Sequence, residues 1–320
     1  MKALTTSSAH AGLIAADVRD PVPGPKDVAV DVEFAGIGMI DALWSFGKMP
    51  TTPGFVPGLE VVGIVRATGS DVTHVARGQR VAAIPLGGGF AEVALASAAL
   101  VSILPDGLDP ALASVVPINT VTAHLALTTV ARLAPEETIL VHAGVGGLGS
   151  QFAEVARTLG AGPIAAVVGT PDKADIAREL GYDRVWLRTD LGEVPRDTFD
   201  LVVDPVGGRA TETAFSLLRS GGRLLRVGNA SQTDDVRLSS IEHWLENKTT
   251  AGFNVGAWLA ADPDAGTRSL QWALDAVARG AVRVSLTDVV GPDEINTALS
   301  SLLRGETTGK LAVDMRGLSI

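Results

Sequence analysis

The stretch Thr138-Ile-Leu-Val-His-Ala-Gly-Val-Gly-Gly-Leu-Gly149 decides the fold of this chain. Its apolar residues 139–141 predict a short buried strand, and three glycines follow with the spacing G-x-G-x-x-G. The apolar spacing over 148–159 predicts a helix that ends at Gly160. Glycines let the backbone approach a phosphate closely, and a helix start directs unpaired N–H groups at it. The stretch is therefore typical of a turn that binds the pyrophosphate of a dinucleotide.

The glycine motif alone is weak in a chain with 36 glycines, because chance matches are expected. Its position between a predicted strand and a predicted helix makes the interpretation stronger. The predicted contacts of the turn with a dinucleotide are Gly144, Val145, Gly146, Gly147 and Leu148.

The chain has 320 residues, of which 46% are hydrophobic, and this predicts two domains with a substantial core each. The formal net charge is -10 at pH 7. That balance gives no electrostatic attraction to the phosphates of nucleic acid or to an anionic membrane surface. We therefore expect neither nucleic acid nor a membrane as a partner.

Cysteine is absent from the sequence, which excludes disulfides, thiolate nucleophiles and cysteine-ligated zinc sites. The N-terminal residues Met-Lys-Ala-Leu-Thr-Thr-Ser-Ser lack the apolar core of a signal peptide. No apolar run approaches the roughly 20 residues that a membrane span needs. We expect a cytoplasmic protein.

The N-terminal part of the chain, up to about residue 117, has short strand patterns separated by proline and glycine turns. Such spacing predicts a compact, barrel-like β domain, with strands at 28–34, 61–67, 80–84 and 90–95. Asp109 and Pro110 then predict a helix start, and a further helix is predicted over 120–131.

From residue 139 onward, strand and helix patterns alternate, which predicts a parallel, doubly wound sheet. The predicted strands are 139–142, 164–168, 184–187, 201–204 and 223–227, and the predicted helices are 150–159, 172–180 and 209–219. The last part predicts a helix at 265–279, a strand at 282–288, a helix at 292–303 and a strand at 311–314. If these last elements return to the first domain, the nucleotide domain is an insertion. We expect it to span 120–256, between catalytic parts at 1–119 and 257–320.

Eight short motifs in this order resemble the medium-chain dehydrogenase/reductase superfamily, in particular its zinc-free NADPH:quinone oxidoreductase branch. They are Gly-Ile-Gly-Met-Ile-Asp-Ala-Leu-Trp-Ser-Phe-Gly (36–47), Val-Pro-Gly-Leu-Glu-Val-Val-Gly (56–63), Gly-Gly-Phe-Ala-Glu (88–92), Asn-Thr-Val-Thr-Ala (119–123), the glycine turn (141–149), Asp-Pro-Val-Gly-Gly (204–208), Val-Gly-Asn-Ala-Ser (227–231) and Thr-Thr-Gly-Lys (307–310). The resemblance implies an α/β fold: a Rossmann-type doubly wound parallel sheet inserted into a GroES-like β-barrel catalytic domain.

The zinc-dependent branch of the superfamily has a cysteine ligand in the segment matching 36–47 and a histidine in the segment matching 58–60. This sequence has Gly38 or a neighbour at the first position and Leu59 at the second. Glu60 alone cannot form a tetrahedral site. We therefore expect no catalytic metal.

NADPH is the cofactor that the residues around the second strand of the nucleotide domain favour. NAD-specific domains have an acid there, roughly 20 residues after the glycines, which binds the ribose 2′-hydroxyl. This chain has Gly169 and Thr170 instead, with Lys173 close behind. The resemblance implies that Thr170 and Lys173 bind the 2′-phosphate. Arg188 stands where relatives have a tyrosine, and a guanidinium can grip phosphate; the alternative is that Lys173 and Arg188 are solvated surface charges.

The resemblance implies four further cofactor contacts: Thr122, Asn229, Phe253 and Lys310. For Thr122 and Lys310 the alternatives are an ordinary helix residue and an exposed lysine. For Asn229 the alternative is a turn-forming residue.

The substrate side is implied to include Asp41 and Trp44, from the segment 36–47, together with Asn119. Asp41 matches an acid of the family, although capping of a turn is the alternative role. Trp44 makes the wall apolar unless it is a core residue. Gly38 replaces an asparagine that quinone oxidoreductases commonly carry, which leaves enones and other activated alkenes open as acceptors.

No proton donor can be assigned. Tyr182, the single tyrosine, lies in a Gly-Tyr-Asp turn and is predicted as a surface residue. His124, His142 and His243 are predicted to be structural.

These observations predict a zinc-independent, NADPH-dependent reductase that transfers a hydride to a quinone or an α,β-unsaturated carbonyl compound. A non-catalytic NADPH-binding protein remains an alternative, because the predicted pocket lacks an obvious acid. The segment Gly-Phe-Asn-Val-Gly-Ala-Trp (252–258) also resembles one in enoyl thioester reductases, which is a second alternative. An apolar strand at 251–255 could pair with its copy, as in relatives, so we expect a homodimer.

Overall fold

The computed structural model describes residues 1–318, and the chain divides into two compact units. Unit 1 contains Met1–Val121 and the chain from Leu259 onward, and unit 2 contains Thr122–Trp258. The junctions between the units lie at 121/122 and 258/259. The sequence analysis expects them at 119/120 and 256/257.

The first part of the chain is rich in strands. It contains β1 (Lys2–Thr6), β2 (Leu13–Asp17), β3 (Asp27–Ile37), α1 (Met39–Ser45), β4 (Val61–Thr68), β5 (Arg80–Ala83), β6 (Val93–Ser97), β7 (Val101–Ile103), α2 (Pro110–Ala113) and α3 (Pro117–Leu125). Asp109 caps α2 by accepting a hydrogen bond from Leu112 N at 2.8 Å, as the sequence predicts.

Strands and helices alternate in the middle of the chain, and a shorter part follows. The middle contains β8 (Ile139–His142), α4 (Gly147–Thr158), β9 (Ile164–Val168), α5 (Pro171–Glu179), β10 (Arg184–Leu187), β11 (Phe199–Asp204), α6 (Arg209–Leu217), β12 (Leu218–Arg226), α7 (Ser240–Glu246), β13 (Thr249–Gly252) and α8 (Val255–Ala261). The last part contains α9 (Pro263–Ala278), β14 (Leu286–Val290), α10 (Ile295–Leu303) and β15 (Lys310–Asp314).

Unit 1 is built around β3, an 11-residue strand with buried residues along most of its length. It pairs antiparallel with β4, β6 and β15 in a seven-stranded sheet of order β14-β15-β3-β4-β5-β7, with β6 on β3. Because β15 comes from the end of the chain and pairs with β3, the last elements return to the first domain as predicted.

Unit 2 contains a six-stranded parallel sheet of order β10-β9-β8-β11-β12-β13. This is the strand order of dinucleotide-binding sheets, and it confirms the predicted doubly wound architecture. Every residue of β8, β9 and β11 is buried, as expected for strands covered on both faces. The strand order reverses between β8 and β11, so the loops after these two strands flank the usual ligand crevice of such a sheet.

Several boundaries differ from the sequence prediction. Helices α7 and α8 were not predicted, and the strand expected at 251–255 is β13, which ends at Gly252. It ends there because the Asn254 side chain accepts a hydrogen bond from Ala257 N at 2.9 Å and thereby starts α8. The strand expected at 282–288 is β14, shifted toward the C-terminus.

Within residues 1–318, no helix combines the length and the apolar character that crossing a membrane requires.

Candidate functional site

The glycine turn follows β8 as predicted and leads directly into α4. Ala143 adopts the left-handed region with φ 53°, and Gly146 N donates to Ala143 O at 2.9 Å. A side chain on Gly149 would overlap the same carbonyl oxygen, so only glycine allows the helix to start this close to the turn. Because the first turn of a helix has N–H groups without intrahelical partners, the turn offers donors to an anion.

Arg188 lies beside the end of β9, where an NAD-specific domain would have an acid. A Cβ atom placed on Gly169 would be 3.4 Å from Arg188 Nη2. Thr170 is the N-cap of α5, with Oγ1 accepting from Lys173 N at 3.4 Å. Thr170 and Arg188 are exposed, and Lys173 is half-buried. The fold therefore places Arg188 beside Gly169, the neighbour of Thr170, although the sequence separates Arg188 from Thr170 by 18 positions. That these residues bind a 2′-phosphate stays a prediction.

Asp204 organises the loop after β11; it begins the motif 204–208, but the sequence analysis assigned it no role. It is fully buried and accepts hydrogen bonds from Val206 N at 2.8 Å, Gly207 N at 3.0 Å and Thr211 Oγ1 at 2.6 Å. Arg226, at the end of β12, pairs with the same carboxylate at 3.3 Å. These contacts fix the loop at the carboxyl edge of the sheet.

The remaining predicted cofactor residues of unit 2 differ in exposure. Asn229 is exposed and its Nδ2 donates to Thr233 O at 3.4 Å. Phe253 is buried against Trp258, with ring centroids 5.4 Å apart. Thr122 is buried on α3. Their contact with a cofactor stays a prediction.

His142 ends β8 and is 2% exposed. Burial lowers the pKa of its imidazole to about 4, so the ring is neutral at pH 7. Its Nε2 has no hydrogen-bond partner within residues 1–318. His124 is also neutral, because burial lowers its pKa to about 4. His243 bonds through both ring nitrogens, to Ser239 O and Thr250 Oγ1, as a structural histidine does.

Tyr182 is buried, so its predicted surface position is wrong. Its side chain is turned inward and its hydroxyl donates to Gly144 O at 2.7 Å. A tyrosine next to glycine in a turn is ordinary in sequence, and only the fold shows that it reaches the nucleotide turn.

Asp41 caps α1 in unit 1. It is 1% exposed and accepts hydrogen bonds from Gly38 N and Gly58 N, both at 2.9 Å. Burial raises the pKa of the carboxyl group to about 6 despite these bonds. The contacts support the capping role that the sequence left open.

Lys310 forms a buried ion pair, so the alternative of an exposed lysine is wrong. Its Nζ lies 2.6 Å from Glu60 Oε1 and donates to Ile37 O at 3.1 Å. The second oxygen of Glu60 accepts from Ile118 N at 2.7 Å. Lys310 and Glu60 are 4% and 2% exposed. The pair therefore ties β15 to the end of β3 and to α3.

The other predicted substrate-facing residues are half-buried. Trp44 packs edge-on against Phe55 with ring centroids 5.1 Å apart, and Asn119 lies on α3. No group of three His, Cys, Asp or Glu side chains in the described part of the chain is arranged to hold a metal ion.

Two family models match the chain. Residues 24–106 match the alcohol dehydrogenase GroES-like domain, and residues 147–279 match a model described as zinc-binding dehydrogenase. Quinone oxidoreductase-like protein 2 of Bos taurus is 29% identical over 304 residues, which cover 91% of this chain and 86% of that protein. The chain belongs to the medium-chain dehydrogenase/reductase superfamily, in its quinone oxidoreductase-like branch.

Membership of this superfamily accounts for the inserted parallel sheet and for the turn that starts α4. A mycobacterial protein of the same fold, solved in complex with NADPH, is 25% identical with a TM-score of 0.88, over 98% of this chain and 99% of that one. A mycocerosic acid synthase-like polyketide synthase of Mycobacterium tuberculosis is 28% identical over 302 residues, or 92% of this chain. The chain spans 14% of the length of that synthase.

Proposed function

We propose that this chain is an NADPH-dependent reductase that transfers a hydride, without zinc, to a quinone or an α,β-unsaturated carbonyl compound. The observation that carries the proposal is the glycine turn together with Arg188 beside Gly169, in place of an acid. The cofactor is NADPH, which a solved protein of the same superfamily binds.

The residues of the turn fit the pyrophosphate. Glycine at 149 lets α4 start directly against the Ala143 carbonyl, and the first N–H groups of α4 lie at the carboxyl edge of the sheet. Donors of this kind, with the positive end of the helix dipole, stabilise anionic phosphate. Val145 adds a backbone N–H group in this turn, whereas the N–H of Gly146 already donates to Ala143 O.

The exposed guanidinium of Arg188 fits the additional phosphate that distinguishes NADPH from NADH. A guanidinium can donate two parallel hydrogen bonds to a phosphate, and the ammonium group of Lys173 adds charge. Thr170 already caps α5 through its hydroxyl, so its first role is to hold the helix that carries Lys173.

When bound, NADPH supplies a hydride, and the protein orients the acceptor and excludes side reactions. Addition at the carbon β to a carbonyl moves an electron pair to the carbonyl oxygen, and the resulting enolate takes a proton at the α carbon. His142 is neutral and buried, and Asp41 uses both oxygens to accept backbone N–H groups. The proposal therefore takes this proton from solvent.

The test is NADPH oxidation by the full chain with a panel of quinones, enones and enoyl thioesters. We expect turnover with at least one conjugated acceptor and none with saturated ketones. Tight NADPH binding without oxidation by any acceptor would instead establish the alternative, a non-catalytic NADPH-binding protein.

An enoyl thioester reductase is the second candidate, and the similarity to polyketide synthases favours it. The buried Phe253–Trp258 contact lies in the segment that resembles such reductases. A kcat/KM for enoyl thioesters far above that for quinones and free enones would support this candidate.

A homodimer in the cytoplasm is also part of the proposal. Strand β13 ends the sheet order and pairs only with β12 among the described strands, and the preceding α7 exposes Ile241, Trp244 and Leu245. An unpaired edge beside exposed apolar side chains is suited to pairing with its own copy around a two-fold axis. Light scattering measures the oligomeric state, and cell fractionation tests the location.

A further inference from the structure

Tyr182 lies in the turn between α5 and β10, and backbone contacts hold that turn in place. Gly181 has φ 80°, and Tyr182 N donates to Ala177 O at 3.2 Å. The next residue, Asp183, accepts from Ile164 N at 2.7 Å through its side chain and donates its own N–H to Ile164 O at 2.9 Å. The turn is thereby attached to the start of β9, and the tyrosine ring points into unit 2.

The buried hydroxyl of Tyr182 reaches the glycine turn. It lies 2.7 Å from Gly144 O and 3.3 Å from Gly149 O. Arg157, on α4, covers the ring at 5.7 Å from its centroid and donates to Gly181 O at 2.8 Å. The ring is therefore fixed from the helix side, and its hydroxyl has a defined position.

The contact with Gly144 has a consequence for the next N–H group. In a trans peptide the carbonyl and the following N–H point in opposite directions. A hydrogen bond that holds Gly144 O at Tyr182 therefore turns the N–H of Val145 away from Tyr182. The preceding residue, Ala143, has φ 53°, which is unfavourable for a residue with a side chain, so the turn needs such contacts to keep its shape.

We propose that Tyr182 is a positioning residue of the pyrophosphate site: its hydroxyl sets the Gly144–Val145 peptide so that Val145 N–H is directed at the dinucleotide. It acts through the glycine turn and does not contact the cofactor. The inference rests on NADPH binding and not on the acceptor. Burial raises the pKa of the Tyr182 hydroxyl above its usual value, so the group remains a donor throughout the neutral range.

The test is Tyr182→Phe, which keeps the ring and removes the hydroxyl. We expect the Kd for NADPH to rise about tenfold, the order of change that one lost hydrogen bond produces. KM for NADPH should rise with it, while kcat at saturating NADPH should change less than about twofold. Adenosine 2′-monophosphate lacks the pyrophosphate, so its affinity should stay the same.

The matched control is Thr138→Val, at the other end of β8. It removes a hydroxyl that donates to Asp200 Oδ2 at 2.7 Å, lies 3.3 Å from Thr198 O and accepts from Asp200 N at 3.2 Å, without touching the turn. It should lower the melting temperature at least as much as Tyr182→Phe and leave the Kd for NADPH unchanged. If both variants weaken NADPH equally, or if Tyr182→Phe keeps a Kd within twofold of the wild type, the proposal is overturned.

A second measurement needs no substitution that could prevent folding. The chain has a single tyrosine, so growth on 3-fluorotyrosine places one fluorine probe at Tyr182. We expect NADPH to shift its fluorine NMR signal and adenosine 2′-monophosphate to leave it in place. An unshifted signal at saturating NADPH would contradict a link between Tyr182 and the pyrophosphate site.

Discussion

Removal of one partner from the Lys310–Glu60 ion pair should destabilise unit 1 strongly. In Lys310→Met the methionine fills most of the volume of the lysine, but Glu60 is left 2% exposed without its cation. Breaking a buried pair in this way costs about 3–5 kcal/mol, because the remaining charge is desolvated without compensation. Of the hydrogen bonds that the Glu60 carboxylate makes within residues 1–318, the bond from Ile118 N remains.

Native-state hydrogen exchange followed by mass spectrometry measures this loss in each unit separately. We expect the opening free energy of amides in β3 and β15 to fall by about 3–5 kcal/mol, and that of amides in β8 and β11 to change by less than about 0.5 kcal/mol. The double variant Glu60→Gln/Lys310→Met removes both charges. The fall in opening free energy in the double variant should therefore be smaller than the sum of the falls in the two single variants, by at least about 2 kcal/mol.

A loss below about 1 kcal/mol in Lys310→Met would show that the pair behaves like a solvent-exposed salt bridge, and it would refute the reasoning from burial. If the opening free energy of amides in β8 and β11 falls as much as that of amides in β3 and β15, the variant acts through global unfolding instead.

Three further predictions concern the cofactor, pH and assembly. Arg188→Ala should raise the Kd for NADPH about tenfold and leave that for NADH within twofold, whereas Arg184→Ala, at the opposite end of β10, should change neither in a binding titration. Asp41 has a folded-state pKa near 6 against 3.8 in model compounds, so its contribution to stability is complete below about pH 4 and lost as pH rises through 6. Urea unfolding should therefore show the wild type losing about 1–2 kcal/mol relative to Asp41→Asn between about pH 5 and about pH 7.5, and a pH-independent difference would refute the shifted pKa. Trp244→Glu should convert the proposed dimer to monomer in light scattering; a wild type that is already monomeric would contradict the dimer.

The strands of unit 2 could be predicted closely from the sequence. The limits of β8, β9 and β10 match the expected ranges, because each is a short apolar run bounded by turn residues. Helices α7 and α8 were not predicted because they are short, and because α7 exposes its apolar residues instead of burying them. Without a buried face, a seven-residue helix has little periodic pattern to detect.

The residues alone predict the candidate site where the motif is local in sequence, and the place of Arg188 beside Gly169 followed from the resemblance to the family. The turn from Gly144 to Gly149 carries its spacing within a few residues, so its geometry follows from the motif. The contact between Tyr182 and Gly144 spans 38 positions, and the pair of Glu60 and Lys310 spans 250. The hydrophobic periodicity of the sequence does not predict such contacts, because they depend on how the strands are ordered in each sheet.

The most direct test of the central claim is to follow the hydride itself. The full chain is incubated with NADPH that carries deuterium at the transferable position of the nicotinamide, together with an enone that it reduces. The account predicts deuterium at the carbon β to the carbonyl and one NADP⁺ formed per product molecule. Reduced product without deuterium at that carbon, or no product from any conjugated acceptor while NADPH is bound, would contradict it.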